Sequence, residues 1–201
     1  SVADSGMSME LLERTLRLAC AQGKSWRDAG FRPIKIAINL SPEQLEHADL
    51  CPIIDSVMKE ALPDIPWLEL ELPPGAARDG KGRTRHVLAE LKERGFPLAL
   101  DNYGAQTELD GLAGLPIDKI KIDRSLTRRA GQDPGVAQAV RKVLDVKKSR
   151  LAVTLLATGV ETENEYGLLA EWGCHLVQGN LLSPALPPDQ IARTVFERQT
   201  R

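Results

Sequence analysis

Phe96-Pro97-Leu98-Ala99-Leu100-Asp101-Asn102-Tyr103-Gly104, joined by a mixed stretch to Lys119-Ile120-Lys121-Ile122-Asp123, is the part of the chain on which the fold turns. The apolar runs 97–100 and 120–122 are too short for helices and each ends on an aspartate, so both read as buried strands carrying a carboxylate at the carboxyl end. Asp101 and Asp123 then share one rim. In a parallel sheet curled into a barrel, that rim collects the chemistry, because the loops leaving the strands bring distant side chains together. The Asp101-Asn102 pair offers two oxygen donors to a hard divalent cation; the bland alternative is an Asx turn that closes the strand.

Working outward, Met9, Leu12, Leu16 and Ala19 fall at helical spacing, with Ser8 as N-cap and Gly23 as the expected stop. A strand follows over 33–40 and ends at Asn39-Leu40-Ser41. Pro42 suits the first turn of the next helix, which is expected to run on through Leu50, Ile53, Ile54, Val57, Met58 and Ala61. Residues 67–72 alternate as a strand, with Glu69 and Glu71 on one face that is expected to be solvated, although Glu71 stands at the carboxyl end. Residues 73–82 form a Gly- and Pro-rich loop, and a helix over 83–94 stops at Gly95. Beyond Asp123, a helix carries Val136, Ala139, Val140, Val143 and Leu144. A buried strand covers 151–157, a short helix 165–172, a last strand 175–178 and a terminal helix 188–196. This alternation implies an α/β fold with a parallel sheet, and about six units imply a barrel.

Composition bounds the function. A chain of 201 residues with 42% hydrophobic and 27% charged residues is an ordinary globular domain, expected to be single. A formal charge of -2 gives no basic field for nucleic acid. No apolar run approaches the roughly 20 residues of a membrane span, and no signal-peptide pattern opens the chain. Cys20, Cys51 and Cys174 lack metal-ligand spacing and read as buried thiols of a reducing compartment, so a cytoplasmic location is expected. His47, His86 and His175 have no partner at ligand spacing, and Arg128-Arg129 and Lys147-Lys148 read as solvated charge pairs.

Six ordered motifs carry a resemblance that covers nearly the whole chain. They are Asn39-Leu40-Ser41, Leu68-Glu69-Leu70-Glu71, Asp101-Asn102-Tyr103-Gly104, Lys121-Ile122-Asp123-Arg124-Ser125, Gly159-Val160-Glu161-Thr162 and Gln178-Gly179. Together the sequence resembles the EAL-domain family, the bacterial phosphodiesterases and receptors of cyclic di-GMP built on a TIM-like (β/α) barrel. The resemblance implies that Asn39, Glu71 and Asp101 stand at the ligands of a first Mg or Mn ion. It also implies that Lys121 and Glu161 hold catalytic positions and that Asp123 and Gln178 belong to the nucleotide-binding motifs. In active members a water bridging two cations attacks the phosphodiester in line.

The chain departs from the family pattern on one side of that site. Asn102 stands where the second metal's aspartate is expected, and Thr158 where a glutamate is expected. An amide is a weaker ligand than a carboxylate, and a hydroxyl is no base at neutral pH. Pro74 replaces a glutamate that anchors the loop after Asp101, and that loop, following Tyr103-Gly104, reads Ala105-Gln106-Thr107-Glu108 in place of the family signature. The naming Glu-Ala-Leu motif belongs to a first strand that this chain is expected to lack, leaving it incomplete at the amino end. Glu60-Ala61-Leu62 is a decoy at a helix end.

Three functions follow. A degenerate, non-hydrolysing cyclic di-GMP receptor or protein-interaction module is favoured by Asn102, Thr158 and Pro74, with at most one weakly held Mg or Mn. An active phosphodiesterase yielding pGpG is favoured by Asn39, Glu71, Asp101, Lys121 and Glu161. A structural or dimerising domain that binds no nucleotide would use the loop 105–111 as its surface, with a second copy as partner. The resemblance also implies an attached sensory or diguanylate cyclase-like domain in the full protein.

Overall fold

The computed structural model describes residues 2–31, 34–61, 67–77, 83–104, 114–145 and 153–197. The loop 105–111, Lys147-Lys148, Leu62 of the decoy tripeptide and the second half of the 73–82 loop lie outside the described residues. In chain order the elements are α1 Val2–Asp28, β1 Ile36–Asn39, α2 Pro42–Glu46, α3 Leu50–Ala61, β2 Leu68–Leu72 and a 3-10 turn at Pro74–Ala77. They continue with α4 Arg83–Glu93, β3 Leu98–Tyr103, β4 Lys119–Ile122, α5 Arg124–Arg129, α6 Pro134–Asp145, β5 Thr154–Thr158, α7 Glu163–Glu171, β6 Leu176–Gln178 and α8 Pro188–Glu197. The strands form one six-stranded sheet in the order β1-β2-β3-β4-β5-β6. The pairs β1–β2, β3–β4, β4–β5 and β5–β6 are parallel. Helices between successive parallel strands are what such pairing requires. The chain divides into two compact units, Ser1–Glu71 with Lys81–Pro97 and Leu186–Arg201, and Leu72–Gly80 with Leu98–Ala185.

In the first unit, α1 buries Met9, Leu12 and Leu16 of the stripe that the helical spacing predicts, and the stripe closes on Cys20 while Ala19 is half-buried. The helix does not stop at Gly23. It starts before Ser8 and runs to Asp28, and Gly23 serves packing instead, since a Cβ there would lie 2.9 Å from the Trp67 ring. The single helix expected from Pro42 is two helices. Ser41 and Gln44 form a capping box at α2, and the chain turns at His47 before α3. The Gln44 side chain also donates to the Ser8 carbonyl at 2.9 Å, so one polar residue joins α2 to α1. On β2 every residue is buried, Glu69 and Glu71 included, against the expected solvated face.

In the second unit, Asp118 ties the start of the sheet. Its carboxylate accepts from Leu98 N at 2.7 Å, its N–H donates to Leu98 O at 2.9 Å, and its carbonyl accepts from Thr154 N at 2.8 Å. Three strands are thereby held at one level. The strand expected to end at Asp101 continues to Tyr103, with a register shift against β4 between Leu100 and Tyr103. The short helix α5, capped by Asp123, was not legible from periodicity. Arg141 of α6 stacks on the Trp172 ring at 4.6 Å, fastening α6 beside the end of α7. All three cysteines are buried and none is in a disulfide. No described helix is long and apolar enough to cross a membrane.

Candidate functional site

In the first unit, β1 and β2 end in register, Asn39 opposite Glu71, and Leu40 N donates to Glu71 O at 2.8 Å. Asn39 is exposed and Glu71 is buried. The parallel register alone makes the amide and the carboxylate neighbours, because equal strand ends place paired residues side by side.

In the second unit the end of β3 carries the most tightly defined geometry. The Asp101 carboxylate lies between two donors: Lys121 Nζ is 3.3 Å from Oδ1, and Asn102 Nδ2 donates to Oδ2 at 2.8 Å. Lys121 reaches Asp101 from the adjacent strand β4 and is itself buried. Asn102 has φ 49°, the single non-glycine residue with positive φ among the described residues. Asparagine tolerates that left-handed region better than most side chains, and the conformation belongs to the register shift of β3. Tyr103 is buried, and burial pushes its phenol up to about 12, so it stays neutral at physiological pH. Pro74 opens the 3-10 turn Pro74–Ala77, and Gly104 follows β3, where a Cβ would lie 4.0 Å from the Asn102 carbonyl oxygen.

Across the rest of that rim, Asp123, Thr158 and Glu161 each have a defined partner. Asp123 caps α5, accepting from Ser125 N at 2.8 Å and from the Ser125 hydroxyl. Thr158 lies opposite Gln178 in the β5–β6 register, and its hydroxyl donates to Ile122 O at 2.8 Å. Glu161 forms an ion pair with Arg128 of α5. Its backbone N–H, with that of Thr162, donates to the Glu165 carboxylate at 2.7 and 3.0 Å. Two glycines allow this crowding. Gly159 has φ 68° and a Cβ there would overlap Arg124, while a Cβ on Gly179 would overlap the backbone of Val160. That close approach is the hydrogen bond from Val160 N to Gln178 O, 3.1 Å, which fixes the direction in which the chain leaves β5.

The donor set of this rim is a poor match for a second divalent cation. Hard cations favour several oxygens, carboxylates above all. Of positions 101, 102 and 158 only Asp101 is a carboxylate, and both its oxygens already face N–H donors. Asn102 turns its NH2 to Asp101 and leaves one neutral amide oxygen, and Thr158, whose hydroxyl donates to a carbonyl, leaves one neutral hydroxyl oxygen. Among the described residues no three His, Cys, Asp or Glu side chains gather as a metal site. In the other unit, burial is the main reason that the Cys51 thiol is pushed up to about 11.

The structure brings Asp101, Asn102 and Lys121 together, and Thr158 with Gln178. Arg128 is the residue that sequence reasoning missed: it reads as a solvated charge but engages Glu161, 33 residues away in sequence. The signal was the Asp123-Arg124-Ser125 start of a helix, which places Arg128 one turn in.

The profile of the EAL domain matches residues 1–185. This chain belongs to the EAL domain family. Its fold is accordingly the TIM-like barrel type, a curled parallel sheet alternating with helices. Among its relatives is the cyclic di-GMP phosphodiesterase PA2567 of Pseudomonas aeruginosa, 31% identical over 90% of this chain and 31% of that protein. The EAL domain of Mycobacterium smegmatis DcpA superposes with a TM-score of 0.85 at 33% identity, covering 95% of this chain and 86% of that one. The PaMucR phosphodiesterase in complex with c-di-GMP superposes with a TM-score of 0.86 at 29% identity, covering 94% and 76%. The chain spans between 23% and 31% of the length of the first curated relatives it matches.

Proposed function

We propose that this EAL domain serves bacterial cyclic di-GMP signalling as a receptor module that does not hydrolyse the nucleotide. The observation that carries the reading is the commitment of Asn102 and Thr158 to acceptors inside the protein, at the two positions where the family resemblance expects second-metal ligands. In-line attack by metal-bound water needs those ligands. The family positions Lys121, Asp123 and Gln178 are retained on the same rim, and relatives named as cyclic di-GMP phosphodiesterases supply the ligand class. An attached sensory or diguanylate cyclase-like domain would complete the full protein. Calorimetry with cyclic di-GMP, run beside product analysis in Mn, tests both halves. Binding heat without pGpG is expected. Turnover near an ordinary enzymatic rate of about 10 per second contradicts the loss of hydrolysis; no heat contradicts the receptor role and leaves a protein-interaction module.

A further inference from the structure

Asn102 can be read as a lost ligand, but its geometry gives it a task. Its backbone is left-handed at φ 49°, and its Nδ2 donates to Asp101 Oδ2 at 2.8 Å. Only the NH2 end of the amide can face a carboxylate oxygen, since the other end is an acceptor. Lys121 takes the opposite oxygen at 3.3 Å, and both charged side chains are largely covered, 8% exposed for Lys121 and 16% for Asp101. A carboxylate so placed needs donors on both oxygens. An aspartate at position 102 would set acceptor against acceptor, two like charges on adjacent residues, unless a cation lay between them.

We propose that Asn102 is a positioning residue that replaces a cation: its amide clamps Asp101 against Lys121, so the β3 strand end is complete without metal. Thr158, two strands further on, is also held inside the fold, where its hydroxyl donates to the Ile122 carbonyl of β4. The proposal is independent of whether the chain binds a nucleotide, because it concerns only how the strand end is held.

Thermal unfolding of the purified chain in EDTA and in Mn tests it. The unaltered protein is expected to melt at the same temperature in both. Asn102→Asp should melt lower in EDTA by about 3–8 °C and recover in Mn, whereas Asn102→Ala should fall and not recover. The exchange Asp101→Asn with Asn102→Asp rebuilds a donor–acceptor pair, so it should melt above Asn102→Asp alone and without need of Mn. Should Asn102→Asp fail to fold, the exchange still must fold. A melting point of the unaltered protein that rises with Mn, an Asn102→Asp protein as stable as the parent in EDTA, or an exchange variant no better than the single one each overturns the proposal.

Discussion

Arg94 and Asp101 each stand at the centre of a three-membered cluster, one in each unit, and the two clusters bear different loads. Arg94 holds Asp55 through two hydrogen bonds of 2.8 and 3.1 Å and reaches Glu90 at 3.3 Å, with side chains between 28% and 44% exposed. Asp101 makes fewer contacts, one to Lys121 and one to the exposed Asn102, but its own carboxylate and Lys121 lie largely out of water. An exposed pair gains little, because solvent screens it and long side chains lose freedom in making it. A covered charge costs several kcal/mol when its partner is taken away. Burial therefore decides which cluster the fold depends on.

The sharpest break of that comparison is Lys121→Met. It leaves Asp101 covered with only the Asn102 amide, and a loss of about 3 kcal/mol is expected in denaturant unfolding. Adding Asp101→Asn removes the stranded charge and should recover most of it. If Lys121→Met costs no more than an exposed pair, the fold does not depend on the Asp101 cluster.

Next comes Gly179→Ala. The added methyl meets the backbone of Val160, which cannot step aside without breaking the Val160–Gln178 hydrogen bond. A cost of about 2–3 kcal/mol is expected, again by denaturant titration.

Arg94→Met should be milder, about 0.5–1 kcal/mol at neutral pH. Its signature is in acid. The hydrogen bond from Arg94 is the main cause that holds Asp55 below its ordinary 3.8. A depressed carboxyl contributes stability that is present above its unfolded value and lost as pH falls through the folded one. The parent should thus lose stability from this group below about pH 4, and Arg94→Met should flatten that limb. Because the Asp55 side chain is 44% exposed, the change in slope will be small. Glu90 is also lowered, first by its hydrogen bond to Cys51, and that part should survive in the variant.

Smallest is Gly23→Ala in the first unit. The new methyl presses on the edge of the Trp67 ring, which can shift, while alanine gains about 1 kcal/mol of helix propensity. The two nearly cancel, and a net change within about 1 kcal/mol separates this glycine from Gly179.

Much of this architecture was written locally. Pro42 at a helix start, Gly95 with φ 88° after α4, and the apolar runs ahead of Asp101 and Asp123 all act on their own neighbours, so their meaning survives in the bare sequence. What failed to show was tertiary. Glu69 and Glu71 alternate with apolar residues just as a solvated strand does, and only the packing of β2 buries both faces. Gly23 resembles a helix stop until Trp67 is placed beside it. Helix α5 is six residues long and polar, too short to display a period, and with it went the contact of Arg128 with Glu161. Asn102 was visible as a departure from the family pattern, but its donor role depends on a backbone angle that residue order does not reveal.

A crystal of this chain soaked in Mn, read by anomalous scattering around the end of β3, decides whether the strand end is closed without metal. Asp101 is expected to remain bridged by Lys121 and Asn102, with no ion bound to Asn102 or Thr158. Two fully occupied Mn peaks about 3.5–4 Å apart, with Asn102 and Thr158 oxygens among their ligands, would contradict it.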